Sequence, residues 1–323
     1  MSREDGTPGV QRRSHVVLTT SGDQASSLST PPVASFSQLF NTGSKNENRM
    51  SEQPTRETIA DLIVARLDLE KHALESTYRH EVAPHFVVDN LLPQQLATDI
   101  YTAFPSVSQM RLRKSLRERK YVTAQMNTCA RLAEEALFAF HDPRIVKAIQ
   151  DITGLRQVEA DPLLYAGGIS VMTRGHFLNP HIDNSHDKSR ARYRVLNLLY
   201  YVTPNWHPED GGSLELWPDG PRGTAITIPA LFNRLVVMAT DRSAWHSVNR
   251  VRCDMPRCCV SNYYFSAISP EETEYFHVTS FRGRPEQPLR DAILRIDAKL
   301  RMTLRKFRPG GIAAPTHYYR PAE

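Results

Sequence analysis

No stretch of this chain approaches the roughly 20 consecutive apolar residues that a membrane-spanning helix requires, so no membrane partner is expected. The opening MSREDGTPGVQRRSHVVLTTSGDQ lacks the long apolar segment that a secretory signal carries, and secretion is not expected either. Cysteine is scarce. Cys129, Cys253, Cys258 and Cys259 form no CxxC pair, and three of them crowd into a few positions. That spacing suits neither a disulfide framework nor a zinc site, and a cytoplasmic location follows as the simplest expectation. There is no internal repeat, no recognisable nucleic-acid module and no platform of interleaved aromatics. The charge excess is mild, +5 with a pI near 9.0. It gathers in RLRKSLRERK (111–120) and LRDAILRIDAKLRMTLRKFR (289–308). Such runs read first as solvated faces, with an anionic substrate or a nucleic acid as the sharper alternatives; nucleic acid stays a minor alternative.

What is present suffices for a core: 40% of residues are hydrophobic and 23% charged. Residues 1–52 are rich in small polar types with little apolar periodicity, and are expected to be a disordered extension. Met50 opens MSEQPTRETIADLIVARL, which reads as a second protein beginning, with the first 49 residues either a dispensable tail or the product of an upstream start codon. Residues 53–155 read as a helical lead-in packing on the core. Within it, Phe86 to Val88 form a short strand, Pro93 starts a helix, and residues 128–139 are helical. Asp142 caps a helix with Pro143 at its first position and Gly154 at its end. From 156 to 268 the texture turns to short β-rich segments between turn residues: LLYAGGISVMTR, YRVLNLLYYVTP, GSLELW, TAITIPA, RLVVMAT and CCVSNYYFS. Residues 269–323 return to a basic helical segment and a tail. The plan is α+β.

The chemistry sits in NPHIDNSHDK (179–188). His181 and Asp183 flank one residue, so on an extended backbone they face the same way. An imidazole beside a carboxylate supplies two-thirds of a mononuclear iron site. His246 follows an apolar strand 63 residues past Asp183, and Arg257 stands eleven positions beyond it at the head of a β-rich run. His186 and Asp187 read as charged lip residues of a loop. Arg194 reads as half of a structural ion pair, with a substrate carboxylate as its sharper alternative.

The order His-x-Asp, distal His and following Arg resembles the Fe(II)- and 2-oxoglutarate-dependent dioxygenases, in their prolyl-4-hydroxylase-like branch. LNPHID, YRVLNLLYYVTPNWHPEDGGSLELW and WHSVNRVRCDMPRCCVSNYYF carry the likeness, which spans roughly residues 85–265. The resemblance implies a double-stranded β-helix (jelly-roll, cupin-like) core with flanking helices. It implies Fe(II) on His181, Asp183 and His246, and 2-oxoglutarate as co-substrate with O2. Arg257 would meet the distal carboxylate of the oxo acid, since a planar fork suits a bidentate acid. Tyr165 and Tyr200 would assist by hydroxyl, and Asn197 by its amide. In two places the chain departs from the pattern. Asn197 stands where the family often has Thr, and Arg257 where collagen-type members have Lys.

A carboxylate at 183, where related halogenases have a small residue, favours hydroxylation. The expected activity is hydroxylation of a C–H bond in a small molecule, an amino acid or natural-product intermediate, with release of succinate and CO2. The alternatives are a prolyl hydroxylase acting on a peptide or protein, and a non-catalytic metal-binding or oxygen-sensing protein on the same fold.

Overall fold

The apolar-rich segment YRVLNLLYY becomes a strand buried on both faces, and the remaining elements assemble on either side of it. A computed structural model describes residues 53–165, 167–271, 273–307 and 318–320. The disorder expected over 1–52 and most of the C-terminal tail lie outside these residues.

The helices are α1 (Arg56–His80), α2 (Gln94–Thr102), α3 (Arg131–Ala139), α4 (Pro143–Thr153) and α5 (Pro288–Phe307). The strands are β1 (His85–Val88), β2 (Arg111–Lys114), β3 (Glu118–Thr123), β4 (Val158–Ala160), β5 (Gly168–Met172), β6 (Phe177–Ile182), β7 (Tyr193–Tyr201), β8 (Leu214–Leu216), β9 (Ile226–Ile228), β10 (Arg234–Ala239), β11 (His246–Val248), β12 (Arg257–Ser266) and β13 (Ser280–Phe281). Their order is β1-β10-β7-β12-β5-β3-β6-β11-β8-β9, antiparallel at the pairings along this path. β3 is the hinge of this path, since it pairs with β5 through Tyr121–Thr123 and with β6 through Glu118 and Arg119. On one side of it lies the larger sheet, β1-β10-β7-β12-β5. On the other lies the smaller, β6-β11-β8-β9. Together they curl into the double-stranded β-helix.

Alternation along β7 separates two environments. Leu196, Leu198, Tyr200 and Val202 join a buried cluster with Ile63 and Leu67 of α1, Ile100 of α2 and Ile149 of α4. Tyr201 belongs to a second cluster, with Met172, Leu214, Leu216 and Met238, that lies between the sheets. Burial of one large aliphatic side chain contributes about 1.5–3 kcal/mol. Ile59, Ile63 and Leu67, all fully buried, therefore suffice to hold the otherwise polar α1 on the sheet. α4 has the ends its residues predict: the Asp142 side chain accepts from the Arg144 amide, and Gly154 sits at φ 71°.

The hairpin β2–β3 was not foreseen. RLRK and ERKYVT show no apolar alternation, and the first of these strands is mostly exposed. It pairs because its inner edge is taken by β5 and β6, while its polar side chains face a cavity.

Asn233 joins the helical layer to the sheet. It lies at φ 59°, which Asn tolerates better than most residues. Its Oδ1 accepts from the Leu92 amide (3.1 Å) and the Tyr200 hydroxyl (2.8 Å), and its Nδ2 donates to the Leu92 carbonyl (2.6 Å). Asn233→Ala strands three buried polar groups and strains the turn, and is expected to cost about 2–4 kcal/mol. Urea unfolding reads this directly; a loss under about 1 kcal/mol would show the three groups to be satisfied another way.

Candidate active site

β6 ends at Ile182 and β11 begins at His246, and antiparallel pairing sets His246 directly opposite His181. The turn after β6 brings Asp183 back to the same place. Ligand atoms of the three side chains all lie within 4.8 Å of one another. Nε2 of His181 is 3.6 Å from Asp183 Oδ1, and Nε2 of His246 is 3.7 Å from Oδ2. Those separations are too long for direct hydrogen bonds and suit three ligands around one ion.

Backbone carbonyls fix the imidazole tautomers. Nδ1 of His181 lies 3.0 Å from the Asn179 carbonyl, and Nδ1 of His246 lies 2.9 Å from that of Ala244. A carbonyl can only accept, so each Nδ1 carries the proton and each Nε2 offers its lone pair to the centre. Phe281, opposite His181 on β13, stacks on that ring at 4.9 Å and shields it. Burial, reinforced by His246, pushes the His181 imidazolium down to about 3.

Asp183 has its own supports. Burial would raise its pKa, but the Arg194 guanidinium, the two imidazoles and the Asn197 amide together hold it well below the usual carboxylate range. Arg194 Nη1 is 3.1 Å from Oδ2, and Asn197 Nδ2 donates to the same oxygen at 2.9 Å. Arg194 is 1% exposed, with its guanidinium 4.3 Å from the centre of the Tyr263 ring. Of its two readings, the structural ion pair is the one observed.

Arg257 lines the same cavity, which has a volume of about 680 Å³. Its guanidinium lies 4.6 Å from the centre of the Tyr201 ring, and Nη1 reaches only the Met172 sulfur, at 3.7 Å. No carboxylate of the described residues pairs with it, although it is 3% exposed. A buried cation without an acid costs several kcal/mol unless an anion arrives. Gly212 makes room for its stem: at φ 65°, a Cβ there would fall 2.6 Å from Arg257 Cδ.

The remaining predicted cofactor residues divide. Tyr165 lines the cavity, its ring stacked on Tyr318 at 5.5 Å. Asn197 lines it too, with its amide nitrogen committed to Asp183. Tyr200 does not face the cavity. It is three residues from Asn197, hence on the other face of β7, and its hydroxyl is bound to Asn233. The tyrosine on the cavity side is Tyr201, in phase with Asn197; its buried hydroxyl lies beside the Arg257 guanidinium. Strand parity was the signal that could have found it. His186 and Asp187 stay out of the cavity. Asp187 organises its own loop by accepting from Ser189, Ala191 and Arg192. Trp206 is a packing residue, 3% exposed, with its indole donating to the Gly211 carbonyl.

Fold and site together define a double-stranded β-helix protein that can hold one metal ion on two histidines and an aspartate, a donor set suited to non-haem iron. Residues 167–265 match the family model of the 2OG-Fe(II) oxygenase superfamily. Among solved structures the chain is similar to a prolyl-4-hydroxylase from Pseudomonas putida (17% identity, 63% of this chain and 98% of that one, TM-score 0.45). It is also similar to prolyl 4-hydroxylases from Phytophthora capsici (17%, 81% and 83%, 0.48). A third is HygX from Streptomyces hygroscopicus, crystallised with nickel and 2-oxoglutarate (11%, 64% and 90%, 0.42). No helix of the described residues is long and apolar enough to cross a membrane.

Two outcomes follow. Arg194→Met leaves Asp183 buried and unpaired, and is expected to destabilise the metal-free protein by about 3 kcal/mol or more. Saturating Ni(II) should recover part of that loss by supplying the missing positive charge. Equal losses with and without metal in urea melts would uncouple the pair from the site.

The second concerns acid. Burial lowers His181 to about 3 and His176 to about 4, below the value near 6.5 of an unfolded histidine. The unfolded chain therefore takes up protons first as pH falls. Stability is complete above about pH 6.5 and declines toward pH 4, by at most about 1.4 kcal/mol per unit for each group. Asp183, also depressed, adds its loss only below about pH 4. Urea midpoints of the metal-free protein at pH 7 and pH 5 test this, and a flat profile would refute it.

Proposed function

We propose that the protein is an Fe(II)- and 2-oxoglutarate-dependent oxygenase that hydroxylates a C–H bond of a small molecule, releasing succinate and CO2. The observation that carries this reading is Arg257: a buried guanidinium without a carboxylate, opening on the same cavity as His181, Asp183 and His246. A metal-binding protein has no need of such a cation. An enzyme that must hold a dicarboxylate beside its metal does.

His181, Asp183 and His246 would hold the metal, and their arrangement on one side leaves the cavity side for ligands. Arg257 would pair with the distal carboxylate of 2-oxoglutarate through its planar fork. Tyr201, stacked on the guanidinium, would fix the orientation of that fork, and its hydroxyl would add a donor beside it. When bound, iron and 2-oxoglutarate supply the oxidising chemistry, with oxidative decarboxylation driving attack on the C–H bond. Phe281, Leu199 and Leu214 line the cavity with apolar surface and exclude water from the reacting centre. A cavity of about 680 Å³ is in the range of small-molecule sites, which favours a small substrate over a long peptide.

Protein prepared without oxygen and given Fe(II), 2-oxoglutarate and then O2 should release succinate slowly even with no substrate added. His181→Ala should abolish this release. Arg257→Ala should raise the KM for 2-oxoglutarate about 10- to 100-fold, the effect of losing charge-assisted hydrogen bonds, and high co-substrate should restore turnover. Absence of succinate together with absence of metal binding by calorimetry would overturn the proposal.

A further inference from the structure

The two basic runs of the sequence lie about 170 residues apart along the chain and meet at the cavity rim. Arg111, Arg113, Lys114, Arg117 and Lys120 come from the hairpin β2–β3, and Arg301 comes from α5; all six line the cavity that holds the metal ligands. Two elements are locked together there by Asp297 of α5, which accepts from both Arg117 and Arg301. Arg301 also donates to the Thr279 carbonyl at 2.7 Å.

Few acids answer these cations. Glu118 is shared between Lys120 at 3.3 Å and Arg113 at 3.9 Å, and Asp297 between the two arginines. Lys114 is in no ion pair among the described residues. Setting Arg111 and Arg113 aside, Lys114, Arg117, Lys120 and Arg301 are four cations against two carboxylates. The crowding is visible in Arg301, whose pKa is lowered first by burial and then by Arg117. This surplus is separate from Arg257, which 2-oxoglutarate would neutralise. It also lines a concavity: Arg111, Arg113 and Lys120 continue into an adjoining chamber of about 500 Å³ with Tyr165, Ser170 and Tyr263. Cations gathered in a concavity, with hydroxyls among them, suit a compact ligand better than a duplex lying on a flat face.

We infer that the substrate carries at least two anionic groups, carboxylate or phosphate, held between the hairpin and α5 while its reacting carbon faces the metal. This inference rests on the oxygenase reading for the word substrate, but not for the site. Lys114 and Arg117 from the hairpin and Arg301 from α5 would be its specificity-determining contacts.

The test is calorimetric titration of the full chain, saturated with Ni(II) and 2-oxoglutarate, with pyrophosphate and with citrate. At least one should bind, about tenfold more weakly in each of Lys114→Gln, Arg117→Gln and Arg301→Gln. Lys299→Gln, an exposed charge of α5 that does not line the cavity, should change nothing. Lys114 is exposed and unpaired, so its variant reads the site without disturbing the fold. Tighter pyrophosphate marks a phosphate-bearing ligand, and tighter citrate a carboxylate-bearing one. Binding of neither anion, or equal loss in Lys299→Gln, would overturn the inference. So would loss confined to Arg257→Gln, which would place the anion at the oxoglutarate position. A mixed-sequence oligonucleotide that binds more tightly than both anions and loses affinity in the rim variants would overturn it in favour of nucleic acid. Turnover is not needed for any of these readings. Rim binding by a protein that fails to bind 2-oxoglutarate would sink the oxygenase proposal and leave the rim site standing.

Discussion

The ion pair between Arg194 and Asp183 is the constraint on which the site depends. A carboxylate that must serve as a metal ligand has to be ionised before the metal arrives, yet burial opposes ionisation. Arg194 resolves the conflict from beneath, 3.1 Å away, while Asn197 takes a further lone pair of the same oxygen. Both supports stand on β7, the strand buried on both faces, so they are as rigid as the core itself. The aromatic faces of Tyr263 and Phe265 cover the guanidinium, which satisfies part of its charge without offering it a competing acid. The histidines need no such help, because burial favours their neutral, ligating form.

That division explains why β7 looks like a hydrophobic run interrupted by Arg194 and Asn197. An interior strand with an arginine and an asparagine is locally unfavourable, and the interruption marks where the fold serves the site rather than itself. Its remaining residues, Leu196, Leu198 and Tyr200 toward the helices and Leu199 and Tyr201 toward the other sheet, hold the strand in register.

The convergence of His181, Asp183 and His246 was legible in the sequence because it depends on local geometry: His181 and Asp183 by spacing along a strand end, His246 by its place after an apolar strand. Arg257 was legible by its residue type at the head of a β run. Tyr200 was misread because residue type was weighed above phase; the register runs unbroken from Asn197 to Tyr200, so these two, three apart, face opposite ways. The hairpin β2–β3 was illegible for a different reason. Strands that line a wet cavity carry charge where a core strand carries leucine, so alternation, the usual sign of a strand, is missing. Gly211-Gly212 stands in the sequence only as a link between two β-rich segments. The need for glycine at 212 appears once Arg257 is seen packed against its missing side chain.

The mild net charge of the chain conceals a steep arrangement. One cation lies under the metal ligands, another lies within the cavity, and a group crowds its rim, each layer less buried than the one beneath. Arg194 is already paired with Asp183 and adds little field outward. Arg257 and the rim are not fully paired, so their field extends into the cavity, where low-dielectric walls focus it. Such a gradient favours anions over cations within the cavity. The basic runs that sequence reading assigns to solvent are thus the outer part of the same electrostatic device that begins at Asp183.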